Sequence, residues 1–347
     1  MLVSFGKGVC PVKRLNLILL LALCAVLILS GGRTPSITDR SIVHAIGVDK
    51  SESGLRVTLQ IFKPEAAGSD TPIDISKANF KTLTADGRDM EECLYKLSGR
   101  AGGELFLGHM QLLVLSEDIK LESIEQLVTP LRDDKSIYPG LYLACAENAG
   151  EIVSFPIKEN AVTAENYRQI IESAAARGSA FSARLIDIDN TLGVRGSLAV
   201  PYLSIEGQKG RQSLDVTGSR VLAEHGFSGV VITPEESSYL TLLRDTRIEQ
   251  PLPREAELDG RLIRLTDLKR EVSFSETDGS LVCRIRLSAR TDDPADLEKA
   301  ADKLTWVANQ YLDTDPARLF EYLRLYHPAL YARSSGRIAR LEVSCQK

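Results

Sequence analysis

The chain has 347 residues, of which 44% are hydrophobic and 26% charged, the balance of a globular protein long enough for about two domains. A net charge of −5 and a pI near 5.6 leave no basic field with which to neutralise phosphates, so nucleic acid is excluded as a partner.

The N-terminus departs from this even composition. Lys7, Lys13 and Arg14 precede LNLILLLALCAVLIL at residues 15–29, and small residues follow at Ser30, Gly31 and Gly32. Positive flank, apolar core and small residues are the grammar of an export signal. The core is about 15 residues long, short of the roughly 20 that cross a bilayer upright, which favours a signal peptide over a retained anchor within residues 1–32. The positive residues stay cytoplasmic, and everything after residue 33 is exported.

SIVHAIGVDKSESGLRVTLQIF, from residue 41, reads as two strands around a polar turn, with Leu55, Val57, Leu59 and Ile61 in period-two alternation. ANFKTLTA is a third strand, and Asp86 is expected to cap a helix to about Ser98 that places Met90, Cys93, Leu94 and Leu97 on one face. MQLLVLS is a further strand, followed by a helix over EDIKLESIEQLVTPL with Ser116 as its cap, and then the strand GLYLACAE. Residues 147–190 read as short helices, among them AENYRQIIESAAARG, which ends on a glycine suited to a C-cap. A mixed sheet covered by helices packs this order.

We place a domain boundary in the Gly-, Gln- and Lys-containing connection between residues 207 and 215. Beyond it come a hairpin turning at His225-Gly226, a helix started by Pro234, strands either side of Asp278-Gly279, a helix over DPADLEKAADKLTWVANQYLD, a shorter one over ARLFEYLRLYH, and a last strand, RIARLEVSC. The expected architecture is α+β and multi-domain. Mixed sheets each pack with helices in an N-terminal domain at 36–207, with a small helical part at about 150–195, and a C-terminal domain at 215–347.

A search for chemistry returns little. His44, His109, His225 and His327 each stand alone, with no metal-ligand spacing beside them. GFSGV at 226–230 lacks the Gly-x-Ser-x-Gly order of a nucleophile elbow, and RAGGELFLG lacks the Lys-Ser or Lys-Thr of a phosphate loop. Asp187 with Asp189, and Asp292 with Asp293, read as solvated helix starts. Cys93, Cys145, Cys283 and Cys345 are too widely spread for a disulfide framework, which leaves buried small hydrophobes or one or two bridges. An exported chain so poor in sites points to binding or assembly.

The order of segments resembles the Ger(x)C family, the GerAC-type C subunits of spore germinant receptors. The resemblance is carried by TDRSIVHAIGVDKSESGLRVTLQIFKP, with its strand ending in Gly-x-Asp, then DMEECLYKLSGRAGGELFLGHMQLLVLSED, LVTPLRDDKSIYPGLYLACAENAGEI, and GSRVLAEHGFSGVVITPEESSYLTLLR. It covers about residues 39–345 and implies a non-enzymatic, cofactor-free protein on the outer face of the spore inner membrane. Its partners would be two integral membrane subunits, one A-type and one B-type, that respond to nutrients.

The family's lipobox cysteine is replaced here by Gly32, in Leu29-Ser30-Gly31-Gly32, so no lipidation is expected. Leu23 makes Cys24 a poor substitute. Phe106, Leu107, Gly108 and His109 form the best candidate interaction segment, although Gly108 as a tight turn and His109 as a packing residue explain it as well. An exported solute-binding protein, with ligand held between the domains, is the alternative function. A hydrolase built on His109 or His225 is a third.

Overall fold

The computed structural model describes residues 40–63, 79–157, 163–192, 198–208 and 211–237 apart from single positions, and the backbone of strands at 255–258, 261–264, 266–277, 280–290 and 338–346. Apart from Leu20, Ala295, Glu298 and Lys299, the segment at 1–32, most of the helix begun at Pro234, and the two expected helices between residues 292 and 327 lie outside the described residues.

Strands β1 (Arg40–Ser51) and β2 (Gly54–Phe62) form the expected hairpin, and β3 (Phe80–Gly87) pairs with β2 from Leu55–Gly87 to Phe62–Phe80. Helix α1 (Met90–Ala101) follows. Its cap is Asp89, whose carboxylate accepts the Glu92 N–H at 2.8 Å, and not Asp86 as the sequence suggested. Asp86 is still in the strand, where it pairs with Arg56 on β2. Gly102, with φ of 79°, ends the helix in the left-handed conformation that glycine adopts without strain.

Short β4 (Glu104–Phe106) and β5 (Leu112–Ser116) come next, then α2 (Glu125–Asp133), which starts later than expected. Ser116 does not cap it, because that residue is buried in the strand and donates its hydroxyl to Asp118. Strand β6 (Tyr142–Ala146), helices α3 (Ala149–Ser154) and α4 (Thr163–Ala176), β7 (Ala183–Arg184) and α5 (Leu185–Leu192) complete the run of short elements expected over 147–190.

β8 (Leu198–Glu206), β9 (Ser213–Ala223) and β10 (Gly226–Ile232) then join the same sheet, whose order is β10-β9-β8-β6-β5-β1-β2-β3. β9 pairs with β8 from Leu198–Leu222 to Glu206–Ser213, so the hairpin read as the opening of the second half is hydrogen-bonded to the first. Gly226 makes this possible. At φ of 120° it lets the turn lie against the Ile119 carbonyl, and Leu121 and Ile124 donate to the carbonyls of His225 and Glu224.

Parallel β1, β5 and β6 form the centre of the sheet, in the register Ala45–Leu112–Tyr142. Both faces are covered, which explains the unbroken apolar text of these strands. Leu113, Leu115, Leu143 and Cys145 face α1, α2 and α5, packing with Leu97, Leu127 and Ile188. Leu112, Val114, Tyr142 and Ala144 face α3 and α4, packing with Ile152, Val153, Tyr167 and Ile171. On that second face the buried Tyr167 hydroxyl donates to the Ile152 carbonyl at 2.8 Å, and Gln60 donates to the Val153 carbonyl at 2.7 Å. These bonds fix α3 and α4 to β2.

In the second half, β11 (Glu255–Leu258) pairs with β12 (Arg261–Arg264), and β13 (Thr266–Thr277) pairs antiparallel with β14 (Ser280–Arg290). β15 (Ile338–Gln346) lies parallel to β14. The class is α+β, as expected.

Candidate functional site

Two clefts mark opposite ends of the central strands. At the C-terminal end of β1, Gly47 and Asp49 are two residues apart and so share a face, the one on which α3 lies. A Cβ at Gly47 would sit 2.6 Å from the Ala149 carbonyl oxygen, so only glycine lets the first turn of α3 rest on the strand. The Asp49 carboxylate then accepts the N–H groups of Ala149 (2.6 Å) and Gly150 (2.8 Å), orphan donors that Asn148 at the N-cap does not satisfy with its side chain. Burial pushes the Asp49 carboxyl above the usual carboxylate range, and the two backbone bonds pull it back.

Asp49, Lys50, Arg56, Asp86, Lys96 and Glu151 line a cleft of about 740 Å³ in front of this contact. Most of its charge is already engaged. Arg56 grips Asp86 through two bonds at 2.8 and 3.2 Å, while Lys96 reaches the Asp86 carbonyl at 2.8 Å and Arg100 the Thr84 carbonyl at 2.8 Å. Those two carbonyls belong to β3, the terminal strand of the sheet, and basic side chains over a strand edge obstruct pairing with another chain.

The Phe106–His109 segment lies at the other end. Phe106 closes β4, which pairs with the start of β1, and its ring meets that of His109 edge-on at 5.6 Å. Gly108 leaves room for this contact, since a Cβ there would come within 2.6 Å of the tip of the Phe106 ring and displace it. His109 is exposed on the rim of a cleft of about 390 Å³ that Tyr138, Tyr142, Arg168 and Arg184 also line. Inside it Arg168 bridges Glu165 and Glu172, the Tyr142 hydroxyl donates to Glu172 at 2.6 Å, and the Arg184 guanidinium lies 5.4 Å from the centre of the Tyr142 ring.

Behind the segment, His44 is buried against Phe62 with ring centres 5.1 Å apart. Burial and, secondarily, His109 lower its pKa to about 4, so it is neutral near pH 7. Phe106, Gly108 and His109 thus come together in one corner, while His225 is on the β9–β10 turn with its Nδ1 2.7 Å from the Glu122 carbonyl. Ser228 is exposed on β10, and Asp187 accepts the Arg184 N–H at 2.8 Å at the start of α5. Asp292, Asp293, His327 and the side chain of Asp189 lie outside the described residues.

Cys93 and Cys145 are free and buried. Burial raises the Cys93 thiol to about 11 and that of Cys145 further, which makes both inert. Cys283 is opposite Leu341 and Cys345 opposite Leu287, four residues along β14. Among the described residues no group of three or more His, Cys, Asp or Glu side chains could hold a metal, and no helix is long and apolar enough to cross a membrane.

The family profile described as the spore germination protein N-terminal domain matches residues 34–205, the stretch that contains β1 to β7 and nearly all of β8. The chain belongs to the Ger(x)C family. A solved structure, the crystal structure of the GerBC protein, is similar over 87% of this chain and 96% of its own, with 15% identity and a TM-score of 0.45. No curated protein sequence matches.

In this Ger(x)C protein the Gly-x-Asp at the end of β1 is a docking device for α3. The spacing alone could not reveal that role, because the partner helix begins about a hundred residues later. The second missed feature is the pair Gln60 and Tyr167, two polar residues at the heart of the second core whose text carries no signal of burial.

Proposed function

We propose that the chain is the non-enzymatic C-type subunit of a nutrient germinant receptor, required for spore germination. It is held at the outer face of the spore inner membrane beside an A-type and a B-type integral membrane subunit. The observation that carries this reading is the family match over 34–205, directly behind an N-terminus with the composition of an export signal. The clefts support it as well. Most of their charged groups are engaged in fixing strands and helices, an arrangement suited to a rigid assembly part. Two exported domains, residues 36–207 and 215–347, belong to the same proposal, with β9–β10 extending the sheet of the first.

Deleting the gene in its spore-forming host tests the function. Loss of germination with at least one nutrient is expected, and unchanged germination with all nutrients overturns the proposal. Gly32 cannot form a thioether to lipid, so the chain is either cut after Gly32 or keeps residues 15–29 as an anchor. Mass spectrometry of the mature N-terminus distinguishes these, and a diacylglycerol on any residue from 24 to 32 refutes both.

A further inference from the structure

We propose that the end of the sheet bearing Tyr138, Pro139, Arg184 and Ile186 lies against the lipid bilayer. The proposal rests on the second of the two alternatives above, in which residues 15–29 are kept as an anchor. Among the described residues from 41 onward, four large apolar side chains are exposed: Tyr95 (81%), Tyr138 (66%), Ile186 (43%) and Val231 (38%). Two of these are neighbours, because the Ile186 N–H donates to the Pro139 carbonyl at 3.0 Å. Pro139 and Arg184 are exposed between them, and the Tyr138 ring lies across Gly140, where a Cβ would collide with it.

The topology decides which way this patch faces. Parallel β1, β5 and β6 all begin at this end, since Ala45, Leu112 and Tyr142 are level across the sheet. The chain therefore comes into the sheet here, at Arg40, with only ten residues between it and Leu29, where the apolar run stops. The eleven steps from Leu29 to Arg40 span at most about 40 Å, so a membrane-held run keeps this end close to the bilayer. The turn at Glu52-Ser53 lies at the opposite end of β1, about 20 Å beyond the level of Ala45 and Tyr142.

The side chains suit that surface. Tyrosine favours the headgroup level, isoleucine can dip into the acyl boundary, and an arginine beside them reaches phosphate. Three such residues bind weakly alone. On a short tether they set the orientation of the domain.

The test uses the full-length chain reconstituted in vesicles of phosphatidylcholine and phosphatidylglycerol in equal parts, with a photoreactive benzoylphenylalanine in place of Tyr138, Ile186 or Ser53. Flotation on a density gradient measures membrane attachment, and mass spectrometry after illumination measures lipid adducts. The expected result is flotation of all three variants with adduct yields at positions 138 and 186 several-fold above that at 53. Flotation with equal yields at the three positions overturns the proposal alone, as does crosslinking of 138 and 186 to protein when the two membrane subunits are co-reconstituted. A chain that fails to float overturns the membrane-held reading together with it.

Discussion

Gly47→Ala tests whether the first turn of α3 rests on β1. The new methyl would lie 2.6 Å from the Ala149 carbonyl oxygen and 2.8 Å from its carbon, and both are backbone atoms that cannot swing aside. The helix must lift, at a cost of about 1–3 kcal/mol for overpacking. Lifting also loosens the two N–H bonds on Asp49, worth about 1 kcal/mol as a cap. A total of about 2–4 kcal/mol lowers Tm by about 5–12 °C for a domain of this size. Gly99→Ala is the matched control. Gly99 is in the interior of α1 with nothing within 4 Å of its added Cβ, so the exchange stabilises by about 0.5–1 kcal/mol through lost freedom of the unfolded chain. Thermal melts of the purified chains followed by circular dichroism should move in opposite directions. A Gly47→Ala chain that melts with the native protein refutes the close approach.

Further outcomes follow from other contacts. Asp49→Asn offers one acceptor oxygen where the carboxylate offers two, so one N–H of α3 loses its partner and urea titration should register a loss of about 1–3 kcal/mol. His44 titrates at 6.5 when free and about 4 when folded, so the folded state holds fewer protons between those values. The stability it contributes above pH 6.5 is lost as pH falls toward 4, by about 3 kcal/mol at 1.4 kcal/mol per unit, and His44→Gln should flatten that slope in pH-dependent unfolding. Cys93 and Cys145 should stay unmodified after an iodoacetamide pulse on the native chain and react once it is unfolded in urea. Alkylation of either in the native chain would contradict their burial.

The strands were legible because their apolar spacing is a local property. β2 shows a clean alternation, since Leu55, Val57, Leu59 and Ile61 face one core while Arg56 is exposed to solvent. Helix starts were less legible. Asp86 and Asp89 both satisfy the residue preference for a cap, and the pairing of Asp86 with Arg56, thirty residues away, decides between them. The pairing of β9 was not legible for a similar reason. Its text reads as the opening of the second domain, and only the bonds that β8 makes along its length tie it to the sheet of the first. At the candidate site, Phe106, Gly108 and His109 were visible as a segment, whereas Arg184 and Tyr138 come from distant stretches that only the fold assembles into the same cleft.

The parallel arrangement of β1 with β5 has a consequence for how the protein is made. A chain is made from its N-terminus, so β1 is available first and can form its hairpin with β2 at once. Its other edge stays bare until Leu112–Leu115 arrive, and β6 must follow before both faces of the centre can close. Such long sequence separations slow folding and expose unpaired strand to neighbours. The nascent protein thus passes through an interval in which its most apolar strands lack partners, and protection during synthesis is as much a requirement of this topology as any contact in the finished structure.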